Sequence, residues 1–169
     1  MYLKYLEYVL RHKWYVLKEC FKEGLYWRGI THDMSKILPS EFFPYANHFF
    51  GKKAEEVKKC KEETGYFKPA CTGDQAFDLA WFWHLKRNDH HWNFYILPDG
   101  TMKALEMPEP ALKEMICDWI GAGKAQGFKS PADDRYFETR KWYEKNKGKM
   151  IMHPKTKEDI EAIIYAVKI

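Results

Sequence analysis

The feature that most constrains this chain is the spacing of apolar residues over its first two dozen positions. Tyr2, Leu3, Leu6, Val9, Leu10, Trp14, Val16, Leu17, Cys20 and Phe21 recur at steps of three and four, and Gly24 closes the run. That spacing predicts one long amphipathic helix over residues 2–23, which must bury a face against other elements. The rest of the chain supplies partners of the same kind. Helices are expected over 27–36, ending before Pro39, and over 52–63, where Lys and Glu at i,i+4 mark a solvated face. Another should run from 75 to about 87, opened by Thr72-Gly-Asp-Gln75 as a capping box. Three more are expected: from 108 to about 125, over 131–147, and over 156–168, where Thr156-x-x-Asp159 is a looser, Asp version of the box. Residues 40–50 are aromatic and interrupted by Pro44, which predicts a short helix or irregular segment. Pro98-Asp99-Gly100, between two extended-looking stretches of 93–107, predicts the one hairpin. The fold class is mainly α, a single-domain helical bundle with one small β-hairpin.

Composition narrows the functional classes. At 169 residues the chain fits one domain, 1–169. Hydrophobic residues at 46% and charged residues at 31% exclude a disordered tail, a fibre and a disulfide-dense mini-protein. The aromatic share of 17% is high and belongs largely in a core. A net charge of +4 is too small and dispersed for duplex nucleic acid, and suits a small anionic substrate better. The four cysteines form no C-x-x-C pair, against a zinc ribbon or thioredoxin-like motif. The charged N-terminus does not read as a signal peptide, and the longest apolar run, 162–167, is far too short to span a bilayer. A reduced cytoplasmic protein without a membrane partner is expected; a homo-oligomer is compatible with all of this.

Chemistry concentrates at a few positions. Thr31-His32-Asp33-Met34-Ser35-Lys36 places an imidazole beside a carboxylate, able to bind a divalent ion or, more blandly, to end a helix. His12 is in line with Tyr5, Val9, Val16 and Cys20, so it projects onto the apolar face rather than beside Arg11 and Lys13. Asp118 shares a stripe with Ala111, Met115, Ala122 and Ala125, where a carboxylate is costly unless it is paired or binds a metal. His84, His90 and His91 fall within eight residues. Taken singly, His12 reads as a core histidine and Asp118 as half of a salt bridge. Taken jointly, imidazoles and carboxylates in this order suit Mn, Fe, Co or Ni, as one or two ions.

His12, the His32-Asp33 doublet and the distal Asp118 resemble the HD-domain superfamily of metal-dependent phosphohydrolases, in which a helical bundle holds a metal with these residue types in this order. The run from His32 through Lys36 is similar to the HD-GYP branch, and His84 with His90-His91 resembles that branch's additional histidines. The resemblance implies a metal core over about 5–125 with the C-terminal helices, about 131–168, peripheral. It also implies a second ion with Asp33 bridging, and His48 is an alternative to His84. No GYP sequence follows the His pair; Trp92-Asn-Phe-Tyr stands there. The whole chain is similar as well to small bacterial and phage proteins carrying HDMSK, HHW and EMxxDW, the last spanning Glu114 to Trp119 here.

These readings make a hydrolase the leading expectation: a metal-dependent phosphohydrolase acting on a nucleotide or another small phosphorylated substrate through a metal-activated water. Asp33 and Lys36 are the expected catalytic residues. Lys36, Arg28 and Arg87 are candidates for holding phosphate, each against the blander reading of a surface cation. Trp92 (or Trp83 or Tyr95) is a candidate for stacking a base. The alternatives are a di-iron oxygenase of the same superfamily, similar to myo-inositol oxygenase, and a non-catalytic interaction protein with an HD-like fold.

Overall fold

The computed structural model describes residues 1–52, 54–64 and 73–166. The protein is mainly α, with eight α-helices and one two-stranded antiparallel sheet among the described residues. The chain divides into two compact units, one of 1–11 and 33–88, the other of 12–32 and 89–169. The first helix, α1 (Tyr2–Lys22), contributes its beginning to one unit and its remainder to the other. Only part of the apolar run is buried: the line of Tyr5, Val9, His12, Val16 and Cys20 is at most 4% exposed, whereas Tyr2, Leu3, Leu6, Leu10, Trp14 and Phe21, expected on the same buried face, are exposed because they lie to either side of that line.

The unit of 1–11 and 33–88 holds a 3₁₀ turn (Met34–Ile37), then α3 (Pro39–Phe50), α4 (Ala54–Thr64) and α5 (Gln75–Arg87). Its core is aromatic. Tyr5, Val9, Tyr45, Ala46, Phe77 and Ala80 are buried, with Phe42, Phe49 and Trp81 against them. Tyr45 meets Phe77 edge-on at 5.0 Å between ring centres, the arrangement that ring quadrupoles favour. This packing carries α3 as a full helix through Pro44, which has no N–H to offer the Ser40 carbonyl. The capping box expected at 72–75 falls partly outside the described residues, since Thr72 is not among them. Asp74 caps α5, its Oδ1 accepting from the Phe77 N–H at 3.1 Å.

The unit of 12–32 and 89–169 contains α2 (Tyr26–Thr31), a 3₁₀ turn (Trp92–Tyr95), and the hairpin β1 (Ile96–Asp99) with β2 (Thr101–Ala104). It continues with α6 (Glu109–Ala125), α7 (Phe137–Asn146) and α8 (Pro154–Ile164). The hairpin pairs Ile96 with Ala104 and Asp99 with Thr101, and Gly100 takes the left-handed turn at φ 66°. Leu112, Met115, Ile116, Ile120, Tyr143, Ile160 and Ile164 form the core, so the C-terminal helices build this unit's interior. Each fully buried aliphatic side chain is worth roughly 1.5–3 kcal/mol. Gly121 faces α1 directly: a methyl group there would stand 2.4 Å from Val16 Cγ2 and 2.9 Å from the Val16 nitrogen. The two helices approach this closely because that methyl is absent.

Three sequence expectations need correction. The helix expected over 27–36 ends at Thr31, because Asp33 takes a left-handed backbone (φ 55°, ψ 24°) and the chain restarts as a 3₁₀ turn. Asp33 is the one non-glycine residue with positive φ among the described residues. Asp tolerates that conformation better than most residues, but it still costs of order 1–3 kcal/mol. Helix α7 begins at Phe137 rather than 131; the preceding residues form turns in which Asp134 accepts from the Tyr136 N–H. Thr156 does not cap α8. His153 does, and the Thr156 hydroxyl accepts from the Met107 N–H at 3.0 Å.

Candidate metal centre

Within the unit of 12–32 and 89–169, α1 and α6 bring His12 and Asp118 together, and the end of α2 delivers His32. His12 Nε2 stands 3.1 Å from Asp118 Oδ1, His32 Nε2 stands 3.4 Å from the same oxygen, and the two Nε2 atoms are 3.4 Å apart. Bonds of about 2.0–2.1 Å to a first-row ion give ligand–ligand edges of about 2.8–3.4 Å across octahedral and tetrahedral angles. The three donor atoms already stand at that spacing. His12 and His32 are buried, while the Asp118 side chain retains 14% exposure. Burial opposes ionisation of Asp118, yet the His12 and His32 imidazoles beside it outweigh that penalty and hold the carboxyl well below its ordinary range.

A second group in this unit is His32, His90 and Glu114, all buried. Glu114 Oε1 lies 2.8 Å from His32 Nδ1 and 3.2 Å from His90 Nδ1. Its other oxygen accepts from Arg28 Nε, and Arg28 reaches Asp89 as well. Burial again opposes ionisation of Glu114, but the bonds from His32 and His90 prevail and the carboxyl is held at about 2. His91 packs against His90, with ring centres 4.2 Å apart, and is half-buried. Lys13 closes α2, donating to the carbonyls of Ile30 at 2.7 Å and His32 at 2.8 Å. The His32 backbone is thereby fixed.

The unit of 1–11 and 33–88 repeats the pattern. His84 Nε2 is 3.4 Å from Asp33 Oδ1, and His84 Nδ1 is 3.0 Å from Glu41 Oε2. Arg87 Nη1 donates to Glu41 Oε1 at 2.6 Å, and the Ser35 hydroxyl donates to Glu41 Oε2 at 2.8 Å. Burial lowers the pKa of His84, so the neutral imidazole, the form that binds metals, is favoured. Lys36 Nζ is 2.6 Å from Asp33 Oδ2, one turn along the 3₁₀ segment.

The sequence candidates divide accordingly. His12, His32 and Asp118 are brought together, as are Asp33 with His84 and His90 with His91. The cations expected to hold phosphate are engaged by carboxylates: Arg28 by Glu114 and Asp89, Arg87 by Glu41, Lys36 by Asp33. Trp92 packs on the hydrophobic core of its unit. His48, the alternative to His84, stacks on Phe77 at 3.8 Å and meets Asp74 at 2.9 Å, beside the start of α5. Sequence reasoning passed over Glu114 and Glu41. Glu114 was within reach, standing four residues before Asp118 on the same helical face. Glu41 shares its face with Tyr45 and His48, but an acidic residue in so aromatic a helix reads first as solvated.

Fold and site thus define a mainly α protein whose buried imidazoles and carboxylates form groups able to hold a metal ion. The chain belongs to the DUF5662 family, a family of unknown function whose model matches residues 1–166. No curated protein and no solved structure matches it. No helix among the described residues is long and apolar enough to cross a membrane.

Proposed function

We propose that the protein is a metal-dependent phosphohydrolase acting on a small phosphorylated substrate, with a nucleotide as the leading class. The observation that carries this reading is the convergence of His12, His32 and Asp118 donor atoms at the spacing of a metal's ligand shell. In the unit of 1–11 and 33–88, Asp33 and His84 are the further residues that the HD resemblance implies for metal binding, and in the other unit it implies His90 and His91. A bound divalent ion would supply charge neutralisation at phosphate oxygens and acidification of a water.

The chain's own residues take the remaining roles. Asp33, ionised against Lys36, accepts a hydrogen bond from the attacking water and so aims it. Lys36 is the cation beside that carboxylate, placed to meet a non-bridging phosphate oxygen. Arg28 and Arg87, each committed to a buried glutamate, stiffen the imidazole–carboxylate group of their own unit rather than grip substrate.

Metal analysis of the purified protein, followed by a screen of nucleotides and simple phosphoesters with Mn²⁺, tests the reading. Metal-dependent release of phosphate or a nucleoside monophosphate is the expected result. Coloured, iron-loaded protein that consumes O₂ and cleaves no phosphoester would replace hydrolysis with the oxygenase alternative.

A further inference from the structure

We infer that Glu114 and Glu41 are positioning residues that hold His32, His90 and His84 as Nδ1–H tautomers, leaving Nε2 of each ring as its metal-facing nitrogen. The inference deepens the metal reading proposed above and rests on hydrogen accounting at two places.

A carboxylate only accepts. Glu114 Oε1 faces Nδ1 of both His32 and His90, and its Oε2 takes the Arg28 Nε–H. Both ring nitrogens must therefore carry the proton. In the neutral ring the lone pair then falls on Nε2, the atom that His32 turns toward His12 and Asp118. A single carboxylate sets two imidazoles.

At Glu41 the accounting has one more step, because the Asn88 amide nitrogen lies 3.1 Å from His84 Nδ1 and would compete as a donor. Its two hydrogens have better acceptors: the Ser35 hydroxyl at 2.9 Å and the His84 carbonyl at 2.8 Å. The Ser35 hydroxyl passes its own hydrogen to Glu41. His84 Nδ1 is left to donate to Glu41, and its Nε2 is bare where it faces Asp33. Arg87 completes the glutamate's shell as Arg28 does for Glu114. Two separate Arg–Glu–His relays have the same polarity, each placing a bare Nε2 next to an aspartate. Carboxylates behind ligand imidazoles orient the ring and raise its basicity, and their loss costs about 10–100-fold in metal affinity.

The test begins with the metal-free wild-type protein, full length and ¹⁵N-labelled at histidine. Long-range ¹H–¹⁵N correlation spectra distinguish protonated from bare ring nitrogens. His32, His84 and His90 should each show protonated Nδ1 and bare Nε2 at neutral pH; protonation at Nε2 in any two of them overturns the inference without a mutant. Glu114→Gln and Glu41→Gln, compared by circular dichroism to establish folding, should release the tautomer preference of their own histidines. Each should also weaken Co²⁺ binding about 10–100-fold, read from the cobalt absorption bands. A folded variant with unchanged tautomers and affinity overturns the inference too. Correct tautomers in a wild-type protein that binds Co²⁺ or Mn²⁺ but cleaves nothing would sink the proposed function while leaving the glutamates' role intact; a wild-type protein that binds neither ion overturns both.

Discussion

Replacing Lys36 with methionine separates two roles the residue can have. The Lys36 ammonium lies 2.6 Å from an Asp33 carboxylate that is only 3% exposed, while the lysine side chain itself is 15% exposed. Removing one member of a buried ion pair typically costs about 3–5 kcal/mol, because the remaining charge loses its partner in poor solvent. Water reaches the ammonium end, so the lower figure for a charged hydrogen bond, about 1.5–3 kcal/mol, is the better guide. For a chain of this length each kcal/mol moves the melting temperature by about 2–4 °C, so metal-free Lys36→Met should melt roughly 3–12 °C below wild type. A divalent ion beside Asp33 replaces the missing positive charge. Saturating Mn²⁺ should therefore raise the melting temperature of the variant more than that of wild type, as differential scanning fluorimetry with and without metal would show. Equal metal-induced shifts would refute the placement of Asp33 at the ion. Unchanged melting of the metal-free variant would refute the energetic argument.

Asp33→Ala should lose most bound metal and at least about 10³-fold of phosphohydrolase rate while keeping its helical circular dichroism, checked by metal analysis and turnover on one substrate. Glu19 is buried, yet bonds from Lys124 and Lys22 outweigh the desolvation and lower its pKa from the ordinary 4.5. A lowered carboxylate pKa stabilises the fold above 4.5 and loses that contribution as pH falls below it. Urea midpoints of Glu19→Gln should accordingly fall less steeply than wild type on acidification through that range. Ile160→Ala empties a fully buried site and should cost about 2–5 kcal/mol in urea unfolding.

The sequence carried the fold class because most of its elements follow from periodicity. The buried face of α1, the hairpin at Gly100 and the extent of α6 are all written in residue spacing. It brought out His12 and Asp118, whose donor atoms the structure places together, because a polar side chain on an apolar stripe is conspicuous. The break after Thr31 was not legible. Asp33 adopts a conformation set by its surroundings, and nothing in Thr31-His-Asp-Met-Ser distinguishes a continuing helix from one that reverses there. Glu41 escaped for a related reason, since its partners His84 and Arg87 are more than forty residues away. For α3 the expectation stayed open between a short helix and an irregular segment because propensity counts Pro44 against it, and propensity does not see Tyr45 and Phe77 meeting edge-on.

The contact at Gly121 bears on which ion the site would accept. His12 lies one turn before Val16, and Asp118 nearly one turn before Gly121, so the place where α1 and α6 touch acts as a gauge on the gap between two ligand atoms. Backbone in contact at 2.9 Å from a phantom methyl leaves little room for that gap to contract, and the packed cores of both helices resist its widening. A cavity of fixed aperture selects on ionic radius. Calcium, which takes oxygen-rich shells, would be disfavoured by the two imidazoles of the set. A residue with no side chain, absent from any inventory of reactive groups, thus fixes how closely the helices that carry His12 and Asp118 approach.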